Sequence, residues 1–306
     1  TFPRHFCKES VRSSHSSHSK LSLRVEYTLI FLPSLLPFLV MSLQFALELA
    51  RSAGEIIKEG YFKQKVISQK CSIADLVTET DTKVENFVQK KISEQFPTHE
   101  FIGEESVSNG AKISFTDSPT WIIDPVDGTS NFVHRFPFCC ISIAYAEKKK
   151  VALAVVYNPI LDEMYHAELG KGAFLNDAKL SVSDAQNLSS SILCSEWGSQ
   201  RDATMDTKVR NMHKAVLASR GIRSIGSAAL SCCMVARGSV ESYFEYGIHC
   251  WDVAAGELIV REAGGVSASP DGSPFDLMSR SVLVSCCRQV LDETSACIER
   301  IPFDRE

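Results

Sequence analysis

Long apolar runs, basic clusters, zinc-type cysteine spacings and internal repeats are all missing from this 306-residue chain. The best candidate for a membrane span, Tyr27–Val40, is interrupted by Pro33, Ser34 and Pro37 and falls short of the ~20 apolar residues a spanning helix needs. No membrane partner is expected. The formal net charge is −5, and the short Lys148–Lys150 run reads as the solvated tip of a hairpin, so nucleic acid is not an expected partner either. None of the eleven cysteines forms a C-x-x-C pair. Three pairs are adjacent (Cys139–Cys140, Cys232–Cys233, Cys286–Cys287) inside apolar segments, and the total is odd. That arrangement fits buried, reduced thiols and a cytoplasmic protein better than a disulfide framework.

What is present is ordinary for a soluble globular chain, with 44% hydrophobic and 23% charged residues and enough length for one large domain or two small ones. Residues 1–40 stand apart, because a Ser-, His- and Arg-rich start leads into the interrupted apolar stretch. They are expected to be an N-terminal extension, either a targeting segment or sequence upstream of a start at Met41, and residues 41–306 to form the folded domain. From Met41 onward the periodicity alternates. Leu43, Ala46, Leu47, Ala50 and Ile57 predict a first helix. A second starts near Asp81, turns Val84, Phe87, Val88 and Ile92 inward, and stops before Pro97. Trp121–Ile123 predicts a strand entering a turn at Asp124, and Cys140–Ala146 with Val151–Tyr157 a hairpin. Helices follow at Thr204–Ala218, Ala228–Arg237, Asp252 to Gly264, and Gln289–Arg300. The pattern predicts stacked layers of helices and sheets, an α/β or α+β sandwich.

The chemistry concentrates in Trp121–Ser130 (WIIDPVDGTS). An apolar strand delivers Asp124 and Asp127 to a turn at Gly128, where Thr129 and Ser130 can open a helix. Two carboxylates that close repel each other unless a cation lies between them, and hard oxygen ligands suit Mg²⁺. A helix N-terminus beside them offers N–H groups to phosphate. An ordinary Asp-Gly turn would explain the dipeptide alone, but not the strand, both acids and the hydroxyl together. Haloacid-dehalogenase-type phosphatases also place Asp and Gly-Thr after a strand, but their acids lie two residues apart; here they lie three apart with Pro125 between. Further acids have bland readings singly. Glu104 follows a short strand and a glycine, Asp252 sits at a helix start, and Asp75–Asp81 reads as a capping turn.

Together these segments resemble the inositol monophosphatase family, in the lithium-sensitive superfamily that includes fructose bisphosphatases. The resemblance runs from about Met41 to the C-terminus through Asp75–Asp81, Gly103–Ser106, Trp121–Asn131, Trp251–Gly256 and Glu262–Gly265. Asn131–Pro137, Glu245–His249 and Pro274–Arg280 look like the animal-type enzymes in particular. The resemblance implies a fructose-bisphosphatase-like layered fold and a homodimer. It also implies hydrolysis of myo-inositol monophosphate by metal-activated water, feeding inositol recycling. Glu104, Asp124 and the Val126 carbonyl would hold one Mg²⁺, and Asp124, Asp127 and Asp252 a second, with Glu104 helping a third. Gly128 and Thr129 amides would bind phosphate, Thr129 and Asp81 with Glu104 would activate water, and Lys70 would lie near the phosphate. Asp127, Asp252, Glu245, Ala228, Gly226, Ser227 and Ser199 would contact the polyol. Ser227 stands where Thr is common, and Trp197–Met212 carries a short deletion, so a related polyol or nucleotide phosphatase stays open, as does a silent scaffold protein. A chain starting at Met41 is expected to fold and keep full turnover, checked by circular dichroism and phosphate release; loss of either would refute this reading of residues 1–40.

Overall fold

A computed structural model describes residues 36–70 and 72–306. The expectation for the N-terminal extension falls, for residues 1–35, outside the described residues. Helix α1 (Leu36–Phe62) buries Ala46, Leu49, Ala50, Ala53 and Ile57, with Leu43 and Leu47 at the edge of that stripe. After the small hairpin β1 (Ile67–Gln69)/β2 (Leu76–Thr78), α2 (Glu79–Gln95) turns Val84, Val88 and Ile92 fully inward. It starts two residues earlier than expected. Thr78 is its N-cap, and Asp81 is the third residue of a capping box, which satisfies amides the helix cannot satisfy itself.

Seven strands form the large sheet in sequence order: β3 (Glu100–Gly103), β4 (Thr120–Asp127), β5 (Cys140–Glu147), β6 (Lys150–Asn158), β7 (Glu163–Glu168), β8 (Gly172–Leu175) and β9 (Ala178–Lys179). The first pair is parallel and the rest antiparallel. Lys148 and Lys149, at φ 52° and 60°, make the two-residue turn between β5 and β6, a backbone whose twist suits a hairpin. Short helices α3 (Glu104–Ser108) and α4 (Thr129–His134) follow β3 and β4 directly.

The second sheet runs β11 (Gly221–Arg223), β10 (Ile192–Ser195), β12 (Ser242–Tyr246), β14 (Ser281–Ser285), β13 (Val266–Ala268). Helices α6 (Ala228–Ala236) and α7 (Cys250–Glu262) fill the space between the sheets. Helices α5 (Thr204–Ala218) and α8 (Arg288–Cys297) cover the outer face of the small sheet, as α1 and α2 cover the large one. The order is helix, sheet, helix, sheet, helix. Because α7 lies between two sheets it is buried on nearly every side, with Val253, Ala254, Leu258, Ile259 and Val260 buried and the buried Glu257 paired to Arg261. It begins two residues before Asp252, so Asp252 is a first-turn residue and not the cap. Helix α8 ends three residues sooner than expected. Asn211 of α5 takes both backbone groups of Glu299, drawing the chain off the helix into extended conformation at Ile298.

The thiols of Cys139, Cys140, Cys194, Cys232, Cys233, Cys250 and Cys286 are free and buried, whereas Cys287 is half-buried at the start of α8. Among the described residues no helix is long and apolar enough to cross a membrane. Small side chains let α6 and α7 approach closely. A Cβ on Gly256 would lie 2.5 Å from Cys232 Cβ, an atom that cannot swing away. Gly256→Ala is therefore expected to destabilise the fold by about 1–3 kcal/mol through overpacking, read from equilibrium urea unfolding. An unchanged unfolding midpoint would contradict this account of the central layer.

Candidate active site

Strand β4 does not end where its apolar run ends. It continues through Asp127, with a bulge between Asp124, opposite Ser142, and Asp127, opposite Cys140. The expected turn at Asp124 is thus a bulged strand. Proline cannot donate to a ladder, and the bulge is what lets Pro125 sit in a central strand. It also sends both carboxylates to the same end of the sheet. The Val126 amide donates to Asp124 Oδ1 at 3.0 Å, which fixes that side chain across the bulge. Gly128 then turns the chain at φ 86°, and a Cβ there would stand 2.7 Å from the Phe138 carbonyl, so the tight entry to α4 needs glycine.

Around this end the other acids gather from separate elements. Thr129 Oγ1 lies 3.2 Å from Asp81 Oδ1 and 3.0 Å from the Val126 carbonyl, its two available acceptors. Asp81 also accepts from the Thr78 amide at 3.0 Å. Glu104, the first residue of α3, bonds Lys70 Nζ at 2.8 Å, and Glu105 takes the same ammonium at 2.7 Å. Glu85 of α2 holds this corner through the amides of Glu105 and Ser106, both at 2.7 Å. Asp252, in the first turn of α7, accepts from the His249 amide at 2.7 Å.

The opposite wall belongs to the small sheet. Asp127 reaches across to the start of α6, accepting from Ser227 Oγ (2.5 Å), the Ala228 amide (3.3 Å) and the Ala229 amide (2.8 Å). Glu245 on β12 is buried and accepts from the Tyr243 hydroxyl. Glu196, just past β10, accepts from the amides of Ile225 (2.8 Å) and Gly226 (3.0 Å). The Ser199 carbonyl accepts from Ser72 Oγ at 2.6 Å, which joins this wall to the β1/β2 hairpin.

These residues line one cleft of about 730 Å³, which includes every residue singled out from the sequence except Asp81, seated behind Thr129. A smaller open concavity of about 420 Å³, lined by Lys63, Lys65, His134 and Arg135, holds none of them. The cleft is strongly acidic. Burial, followed by the charges of Glu104, Asp127 and Asp252, pushes Asp124 well above the usual carboxylate range. Burial likewise raises Asp252, with Asp127 the next cause. It lifts Asp127 to about 6 despite the Ser227 and Ala229 bonds, Glu245 to about 8 with help from Glu196, and Glu196 to about 7. Burial opposes the charge of Lys70, but Glu104 and Glu105 outweigh it and hold the ammonium above its ordinary range.

Such a set of mutually repelling oxygens fits a divalent cation. Among the described residues no group of three or more His, Cys, Asp or Glu is gathered closely enough to hold a metal ion as the side chains now lie.

Comparison with known proteins decides the family. Residues 41–300 match the profile described as the inositol monophosphatase family. Human inositol monophosphatase 1 is 47% identical over 266 residues, covering 86% of this chain and 96% of that protein. The chain belongs to the inositol monophosphatase family. The solved inositol monophosphatase from Anabaena superposes with a TM-score of 0.74 at 31% identity, covering 85% of this chain and 96% of that one. The inositol monophosphatase-II of Staphylococcus aureus gives 0.70 at 32%, covering 82% and 93%. The layered fold is therefore the fructose-bisphosphatase-like one that this family shares.

Sequence reading missed Glu85, Glu105 and Glu196. Only Glu196 carried a usable signal: an acid directly after the apolar strand Ile192–Ser195, the pattern that singled out Glu104 after β3. Asn131 was seen only as part of a motif, yet its Nδ2 donates to the carbonyls of Phe138 (2.8 Å) and Ile225 (2.6 Å) and ties α4 to the far wall. Removing one charge from the cluster should relieve repulsion when no cation is present. Asp124→Asn is expected to melt no lower than the parent chain in EDTA and to gain less from added Mg²⁺, measured by scanning calorimetry. A full Mg²⁺-induced rise in the variant would remove Asp124 from the cation site.

Proposed function

We propose that the chain is a Mg²⁺-dependent phosphomonoesterase that hydrolyses myo-inositol monophosphate to inositol and phosphate. The observation that carries this reading is the convergence, in one cleft, of Asp124, Asp127, Asp252 and Glu104 with the N-terminus of α4 on one side and buried Glu245 on the other. Glu104, Asp124 and the Val126 carbonyl would hold one ion, and Asp124, Asp127 and Asp252 another, with Glu104 shared by a third. Bound Mg²⁺ supplies Lewis-acid neutralisation of phosphate charge and makes water more acidic.

The protein's own groups supply placement. The amides of Gly128 and Thr129, at a helix start, point their positive ends at an anion. Thr129 Oγ1 gives its proton to Asp81 or to the Val126 carbonyl, so its lone pairs are left to accept a proton from an attacking water. Lys70, bridging Glu104 and Glu105, adds positive charge at the phosphate side. Glu245, with Gly226, Ser227, Ala228 and Ser199, forms the polyol wall, where a carboxyl group can bond vicinal hydroxyls. We place the enzyme in the cytoplasm as a homodimer.

A second reading, phosphatase action on a nucleotide, draws on a staphylococcal relative solved both with inositol monophosphate and with 2′-AMP bound. Phosphate release from a panel of polyol, hexose and nucleotide monophosphates with Mg²⁺ separates the two. Glu245→Gln is expected to lower kcat/KM for inositol monophosphate by roughly 2- to 10-fold, the worth of one hydrogen bond of about 0.5–1.5 kcal/mol. Turnover of a simple aryl phosphate should change little. Equal losses on both substrates would move Glu245 out of the polyol wall, and faster turnover of a nucleotide by the parent chain would favour the second reading.

A further inference from the structure

Glu196 has no part in the chemistry above, yet its hydrogen bonds all serve one short segment. Its Oε1 accepts from the Ile225 amide at 2.8 Å and from Ser231 Oγ at 3.0 Å, and its Oε2 from the Gly226 amide at 3.0 Å. The next groups along the same segment, Ser227 Oγ and the amides of Ala228 and Ala229, go to Asp127. Donors from Ile225 to Ser231 are thus divided between two buried carboxylates, one on each side of a single turn. No ladder holds that turn, because β11 ends at Arg223 and α6 begins only at Ala228. Besides Glu196 and Asp127, its restraints include Asn131 Nδ2 on the Ile225 carbonyl (2.6 Å), Ser224 Oγ on the Ser195 carbonyl (2.5 Å), the Leu230 amide on Ser227 Oγ (3.2 Å) and the Cys140 thiol 3.7 Å from Ser227 Oγ.

Asp127 can point into the cleft in one orientation only while Ser227 and the first amides of α6 stay in place. Their place is set from behind, by Glu196. The partners of Glu196 are amides and a hydroxyl, not ammonium groups, so its hydrogen bonds act as a geometric clamp while its charge adds to the acidic cluster. A side chain that orients the partners of a metal-site carboxylate influences cation and substrate without touching either.

We propose that Glu196 is a positioning residue for both functions of Asp127, clamping the Ile225–Ser227 turn so that Asp127 is oriented for the cation and the turn is shaped for the polyol. This rests on the preceding assignment of Asp127 to cation and polyol binding. A residue that merely stabilised the loop would alter melting temperature and lower activity evenly on all substrates. A clamp alters the site selectively.

The test uses the full chain and the variant Glu196→Gln. It keeps the size of the side chain but turns one acceptor oxygen into a donor facing a backbone N–H. Mn²⁺ binding, read directly by electron paramagnetic resonance, should weaken roughly tenfold, the usual scale for losing an outer partner of a metal ligand. At saturating Mg²⁺, KM for inositol monophosphate should rise about tenfold while kcat and the KM for an aryl phosphate move little. Ser227→Ala should give the same pattern. The double variant should be no worse than the poorer single one, because both act through one turn. If Glu196→Gln fails to fold, Ser231→Ala, which removes one partner of the clamp, should show the same selective pattern more weakly. Unchanged Mn²⁺ affinity and KM in a folded variant, additive losses in the double variant, or equal losses on both substrates would each overturn the proposal. A parent chain inactive on inositol monophosphate would refute the proposed function instead, and the Mn²⁺ titration would still decide the clamp.

Discussion

The structure depends on keeping several carboxylates close together and away from water. Asp124, Asp127, Asp252, Glu196 and Glu245 are all buried or nearly so around one cleft, and burial together with their neighbours raises each of them. Hydrogen bonds to charged groups contribute about 1.5–3 kcal/mol each. The effective cost of burying each ion is several kcal/mol. The amides that serve these acids, Val126 on Asp124, His249 on Asp252 and those of residues 225–229 on Glu196 and Asp127, therefore offset only part of the cost. The remainder is what a divalent cation would relieve, so cation binding and the stability of the site are one property.

The layered architecture makes such a cluster possible because it aims compensating dipoles at it. Strands β3 and β4 are parallel, as are β10 and β12, and each of these strands ends at or beside an acid of the cleft: Glu104, Asp127, Glu196 and Glu245. The N-terminal turns of α2, α3, α4, α6 and α7 supply Asp81, Glu104, Thr129, Ser227 and Asp252. Positive helix ends and their unpaired amides thus surround the negative centre. The same turns that cap helices also orient the site, which is why Asp81, Asp252 and Ser227 each look like ordinary capping residues when read singly.

The two sheets divide the labour. The large sheet and the turns that follow it carry Asp124 to Thr129 with Glu104, and the small sheet carries Glu196 and Glu245, with Ser227 and Ala228 on the adjoining helix. Asp127 spans the gap, since its strand belongs to one sheet and its oxygen and nitrogen donors lie at the start of α6, with the Cys140 thiol of β5 at 3.8 Å on its own side.

By itself the sequence determined what local chemistry controls. Periodicity placed α1 and α2, because each has an apolar stripe of its own, and apolar runs either side of the Lys148–Lys150 turn placed the β5/β6 hairpin. The run WIIDPVDGTS marked the acidic corner of the cleft, because both acids, the glycine and the hydroxyl lie within one short segment. Tertiary structure decided the rest. Strand β4 continues through Pro125 because a bulge opposite β5 accommodates it, and α8 stops early because Asn211 captures Glu299. Short strands such as β10, β12 and β14 are buried on both faces and show no alternation to read. Glu196 and Glu85 gain their roles only from backbone amides about 20 to 30 residues away. A carboxylate's type is written in the chain, but which donors face it is settled only when distant turns are packed together.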